Sequence, residues 1–308
     1  MLQQQNQSIH QTSLYSQVTD RIVAELEQGI VPWVQPWGRD GGSSGLGLPR
    51  NARTAKAYSG INILLLWDAV IRGGYASQHW LTFKQALELG GCVRKGETGW
   101  TVCYADSFIP KDEKERASKD GSDPQSVPFL KRYTVFNVAQ CDGLPEDICP
   151  PPMLFDEREL IPRAESLIAA TGASFQIGGE IACYVPKLDA IRVPPQTAFH
   201  DQINYYRTVF HELGHWTGHK TRLDRSLTTK FGTQDYAREE LVAELATAFV
   251  CASLGIVPTV RHADYIGNWL QVLKEDSRAI FKAASMASKA CDYILAFEQR
   301  TIVVEVAV

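Results

Sequence analysis

The segment NYYRTVFHELGHWTGH, residues 204–219, constrains this chain more than any other. Residues 201–210 lead into it without a breaker, so a helix is expected over 201–219. His211 and His215, four apart on that helix, share one face with about 5–6 Å between their Cβ atoms. Two imidazoles so placed can each bring a nitrogen to about 2.0–2.1 Å from one zinc ion. Glu212 lies one residue round, where it reaches a metal-bound water rather than the metal.

A catalytic type of zinc site needs a third protein ligand and one open position. His219 continues the series, but on a straight helix it stands about 12 Å along the axis from His211. A longer pattern ending in a further histidine fits Gly218 and fails at Thr221; Met286, its Met-turn residue, falls in an expected helix. The stretch AREELVAELATAF puts Glu240 and Glu244 four apart, on a face shared with Ala243 and Thr247. Its Glu-x-x-Ala-Glu pattern resembles the second helix of gluzincin peptidases. That resemblance implies Glu240 as third ligand and Glu244 as the hydrogen-bond partner of a ligating histidine. Ala243 and Ala246 would let the two helices approach closely, and Glu239 reads as the solvated side. Two histidines and a glutamate with an open place suit Zn2+ best, one per chain, with Mn2+ the alternative. Glu212 would then take the proton of an attacking water and return it to a leaving amine. Tyr236, His262 and Tyr265 are all open as donors to the oxyanion.

The chain has 308 residues, which favours two domains over one core. Three consecutive prolines, 150–152, mark an extended linker over 146–154. The expected organisation is a disordered tail over 1–12, a domain over 13–145, the linker, and a domain over 155–308. In the second domain three short strands near 174–193 precede helices over 201–219, 236–254, 262–274 and 276–298. The fold class is therefore α+β: a mixed first domain, then a gluzincin-like domain of a small sheet followed by a helical bundle. The charged stretch 106–128 reads as a flexible surface insertion. Seven cysteines, an odd number without a CxxC pair, indicate reduced thiols rather than a disulfide framework. The N-terminus lacks the pattern of a signal peptide, and no apolar run spans a membrane, so a cytoplasmic protein is expected.

Net charge is −4, which gives no overall nucleic-acid signal. Locally the balance differs: residues 50–100 carry seven basic against three acidic side chains. Five of seven tryptophans, at 33, 37, 67, 80 and 100, lie in the first hundred residues among these cations. Aromatic faces beside cations are what single-strand binding requires, although Trp67 sits in an apolar run and reads as core. The motifs PWVQPW, LPRNARTAKAYSGINILLLW and HWLTFKQALELGGCVRKGETGWTVCY resemble the N-terminal domain of the ArdC antirestriction family, and the start of plasmid conjugative primases. VFHELGHWTGHKTRLDR and YAREELVAELATAF resemble that family's C-terminal zincin domain.

The resemblance implies a plasmid-encoded bacterial protein that binds single-stranded DNA and protects incoming conjugative DNA from host restriction. By position it places Trp33, Trp37, Arg50, Asn51, Lys56, Tyr58, Asn62, Trp80, Arg94 and Lys95 at the DNA surface; Asn51 and Asn62 equally suit a turn or cap role. A zinc endopeptidase acting on a protein partner or a restriction-system component, with DNA binding only localising it, is the competing function. A nuclease is disfavoured, since one His2Glu site would do work more often given to two metals.

Overall fold

The computed structural model describes residues 13–34, 47–149, 157–227, 232–257 and 265–306. The expected tail over 1–12, linker residues 150–154, Trp37 and His262 lie outside them.

Helix α1 (Leu14–Glu27) starts where the Ser13 hydroxyl accepts the Ser16 N–H. Its residues Val18, Ile22, Val23 and Leu26 are buried, at helical spacing. Strand β1 (Arg50–Asn51) and helix α2 (Ile61–Gly73) follow, and α2 stops at Gly74 in the left-handed conformation (φ 64°). Next come β2 (His79–Leu81) and α3 (Phe83–Glu88), the latter opened by a reciprocal capping box between Thr82 and Gln85. After β3 (Cys92–Val93), the long strands β4 (Trp100–Phe108) and β5 (Val127–Asn137) form an antiparallel hairpin, and β6 (Cys141–Asp142) pairs with β3. The main sheet runs β1-β2-β5-β4, with β1 and β2 parallel and the other pairs antiparallel.

The stretch 106–128 departs from the expected flexible insertion. Pairing persists to Phe108 opposite Val127, and helix α4 (Lys111–Asp120) fills the connection. Cross-strand aromatic contacts hold the ribbon: Tyr104 lies 6.1 Å from Tyr133 and 6.3 Å from Phe129 between ring centroids.

In the second module α5 (Glu157–Ala170) precedes β7 (Ser174–Ile177), β8 (Cys183–Val185) and β9 (Ala190–Val193). Their order is β7-β9-β8, so β8 is an edge strand. Helices α6 (Gln202–Trp216), α7 (Gln234–Leu254), α8 (Ile266–Glu275) and α9 (Ala279–Val306) complete it. The architecture is thus α+β with the small sheet preceding the helices. Helix α6 ends at Trp216 rather than 219, and His219 lies in the following turn, its Nδ1 2.8 Å from the Thr221 hydroxyl.

The two modules share one apolar core. Trp33 meets Trp269 of α8 edge-on at 5.6 Å, Trp67 meets Phe249 of α7 at 5.6 Å, and Tyr15 meets Phe281 of α9 at 4.7 Å. The Thr19 hydroxyl donates to the Ser277 carbonyl, and the Gly60 N–H donates to the Ser288 hydroxyl. Helix α7 runs through the middle and is buried almost all round. No helix among the described residues is long and apolar enough to cross a membrane.

Candidate metal centre

Helix α6 packs against α7 at unusually short range. A Cβ on Gly214 would stand 3.3 Å from Ala243 Cα, so the closeness rests on a glycine facing an alanine. This brings His211, His215 and Glu240 together. His211 Nε2 is 3.2 Å from His215 Nε2 and 3.4 Å from a Glu240 oxygen; the other Glu240 oxygen is 3.5 Å from His215 Nε2. Ligand atoms at about 2.0–2.1 Å in a tetrahedron around zinc stand about 3.3 Å apart. The His211–His215 edge matches that spacing and one Glu240 oxygen faces each histidine, so the donor set, with one atom per residue all within 4.8 Å of one another, fits a small divalent cation in size as well as in chemistry.

Glu244 lies behind His211, with an oxygen 3.9 Å from Nδ1. The partner of His215 is Glu239, whose oxygen is 3.2 Å from Nδ1. Glu239 is therefore not a solvated residue: it is buried and paired at 2.8 Å with Arg225, which also donates to the Gly214 carbonyl and the Thr217 hydroxyl. Sequence spacing gave no sign of this, because the guanidinium arrives from the turn after α6. Burial disfavours charge on His215, but the carboxylates of Glu239 and Glu240 outweigh it and lift its pKa to about 10. Burial would raise both acids too; instead the histidines, and Arg225 for Glu239, hold them well below the usual carboxylate range.

Glu212 is buried beside this group and accepts the Tyr184 backbone N–H at 2.8 Å, a contact that only the folded β8 edge supplies. Arg222 ties the sheet to the end of α6: it donates to Asp189, to the Tyr184 hydroxyl and to the Trp216 carbonyl, and lies over the Trp216 ring. A cleft of about 350 Å³ opens onto the three donors, walled by residues 182–186, Glu212, Tyr236 and Tyr265. The two phenol oxygens are 3.2 Å apart. Burial, then Tyr265 and Glu240, push the Tyr236 phenol far up, so it stays protonated and able to donate.

The residues expected at a DNA surface divide. Trp33 and Trp80 are fully buried and cannot stack on bases; Trp80 packs edge-on against Tyr75. Asn62 is structural: its amide donates to the Cys103 carbonyl and accepts the Cys103 N–H, satisfying the free edge of β4. Asn51 organises its own turn, accepting the N–H groups of Arg53 and Thr54 and donating to Gln85. Arg94 is committed to Glu97, Asp142 and the Ala139 carbonyl. Arg50, Lys56 and Lys95 remain exposed, and Tyr58 is half-buried.

A three-donor centre on two packed helices beside a small sheet, behind a separate α+β module, defines a two-domain protein with a zincin-like metal centre. Residues 162–286 match the model of a zincin-like metallopeptidase family, and residues 12–136 match the N-terminal domain of anti-restriction factor ArdC. The crystal structure of the antirestriction protein ArdC from plasmid R388 is similar at a TM-score of 0.76 and 40% identity, covering 94% of this chain and 98% of that one. Its Mn(II)-bound form gives 0.75, with 92% and 98% covered. The protein y4eC of Sinorhizobium fredii is 40% identical over 92% of both chains. A DNA primase TraC of Escherichia coli is 40% identical over 94% of this chain, which spans only 27% of the primase. The chain belongs to the ArdC antirestriction family.

Proposed function

We propose that this protein binds single-stranded DNA through its first module, protects incoming plasmid DNA from restriction, and holds one zinc ion on His211, His215 and Glu240. The observation that carries the reading is the likeness to ArdC across both modules in the same order. Zinc is preferred over manganese because two imidazoles and one carboxylate with an open place suit it better than the oxygen-rich octahedron manganese favours. Metal analysis of the protein as purified, with zinc-edge anomalous scattering, tests this part.

For DNA, the exposed cations Arg50, Lys56 and Lys95 supply phosphate contacts. Stacking faces come from the rings that the β4–β5 ribbon leaves in solvent rather than from Trp33 and Trp80. Tyr104, Tyr133 and Phe108 are each about half exposed, and Lys131 lies 4.8 Å over the Phe129 ring. Fluorescence anisotropy with a labelled oligonucleotide should show affinity falling steeply with salt. Tyr104→Ala with Tyr133→Ala should cost about 1–3 kcal/mol per stacked base. Unchanged affinity in that double variant would remove the ribbon from the interface.

The open cleft favours a second reading, a zinc endopeptidase acting on a protein partner. A cation held there would polarise a substrate carbonyl and acidify a water. Glu212, fixed by the Tyr184 N–H, would carry the proton to the leaving amine, and Tyr236 would donate to the developing oxyanion. Glu212→Gln separates the readings. Antirestriction that survives it excludes proteolysis as the mechanism; antirestriction lost with metal content and oligonucleotide affinity intact makes the peptidase reading primary.

A further inference from the structure

The seven thiols are not equivalent. Burial pushes Cys251 up to about 12 and Cys291 higher still. It also lifts Cys103 to about 11, and raises Cys141 and Cys183. Cys92 is exposed on a short strand. Cys149 is half-buried in a different setting. Its Sγ lies 3.1 Å from His79 Nδ1 and 2.8 Å from the Ser77 hydroxyl, which is itself 3.0 Å from the same imidazole nitrogen. The cluster is fixed from three sides. His79 opens β2, the Asn137 amide donates to the Ser77 carbonyl, and a short 3-10 turn over Glu146–Ile148 delivers Cys149.

Burial, then the positive charge of Arg50 on the adjacent strand, hold His79 below its ordinary value. Its imidazole is thus neutral at neutral pH, which leaves Nδ1 able to accept the hydrogen bond of the Cys149 thiol 3.1 Å away. A nucleophile, a base within hydrogen-bond reach and a third group bridging both is the arrangement that activates a thiol. It lies in the first module, apart from the three metal donors, and the metal centre makes no use of it.

We propose that Cys149, with His79 as its base, is a covalent modification site for low-molecular-weight disulfides. The Cys149 proton passes to His79 Nδ1, and the thiolate attacks one sulfur of the disulfide. The old S–S bond breaks as the new mixed disulfide forms, and the departing thiolate takes the proton back from His79. The incoming disulfide is the oxidant, and an excess of free thiol reverses the step.

The probe is 4,4′-dithiodipyridine on the full chain, with peptide mass mapping against time and pH. Cys149 should be modified at least about tenfold faster than exposed Cys92 near neutral pH. His79→Gln should remove this advantage and leave the Cys92 rate unchanged, and Ser77→Ala should lessen it. Cys92 reacting first in the wild-type protein would overturn the proposal without recourse to any variant. A Cys149 rate indifferent to His79→Gln in folded protein would do so as well.

Discussion

At the scale of single residues, the three candidate donors that the fold brings together were legible and the residue beside His215 was not. His211 and His215 follow from four-residue spacing on one helix, which is local information, whereas Glu240 follows from the likeness of its helix to the second helix of gluzincin peptidases. The role of Glu239 depends on Arg225, fourteen residues away in sequence, folding onto the end of α6. Glu239→Gln removes the charge behind His215 while keeping its shape. We expect metal affinity to fall about 10–100-fold, as for other partners of metal-bound histidines, measured by competition with a chromophoric chelator. An unchanged affinity would reduce Glu239 to a packing residue. The same carboxylates set the pH dependence. In metal-free protein His215 is lifted from 6.5 to about 10 by Glu239 and Glu240 against the effect of burial. A raised histidine pKa stabilises the fold fully below 6.5, and this contribution is lost as pH rises through about 10. Chelated protein should therefore lose melting temperature across that window. Metal binding must expel the same proton, so affinity should strengthen as pH rises over this range. Calorimetry in buffers of different ionisation enthalpy would count the protons, and a count of zero would refute the assignment.

At the scale of elements, helical spacing marks the helices, while pairing over distance decides the rest. The Thr82 capping box, the Gly74 stop and the small Ala243 facing α6 are all local signals that the structure uses. The outer end of the β4–β5 ribbon, Asp106–Phe108 opposite Val127–Phe129, is not legible because that sequence and its connection are charged and carry no alternation, and its order comes from cross-strand partners. Asn62 shows the same limit: a polar residue in an apolar helix suggests a surface role, yet it closes the open edge of β4. Asn62→Ala leaves the Cys103 N–H and carbonyl without those partners. It should cost about 1–3 kcal/mol in urea unfolding, with oligonucleotide affinity of the folded protein unchanged. The reverse outcome, lost affinity at full stability, would return Asn62 to the DNA surface.

At the scale of the whole molecule, the position of the tryptophans could not be read from sequence, because it depends on how the modules meet. Trp33 follows a proline in a short loop-like segment, a setting that suits an exposed ring. In the fold α1 lies on α8, and Trp33 closes the seam against Trp269, fully buried. Because each module covers apolar rings of the other, the two are expected to unfold as one cooperative unit. Trp33→Ala should therefore act as a core deletion and not as a binding mutation. The expected cost is about 3–5 kcal/mol, with tryptophan fluorescence and far-UV circular dichroism melting together at a lower temperature. Below that transition the oligonucleotide affinity should stay at the wild-type value. A variant that keeps its melting temperature and loses DNA would place the ring in the interface after all. Separate melts for the two probes would mean that the seam is too weak to couple the halves.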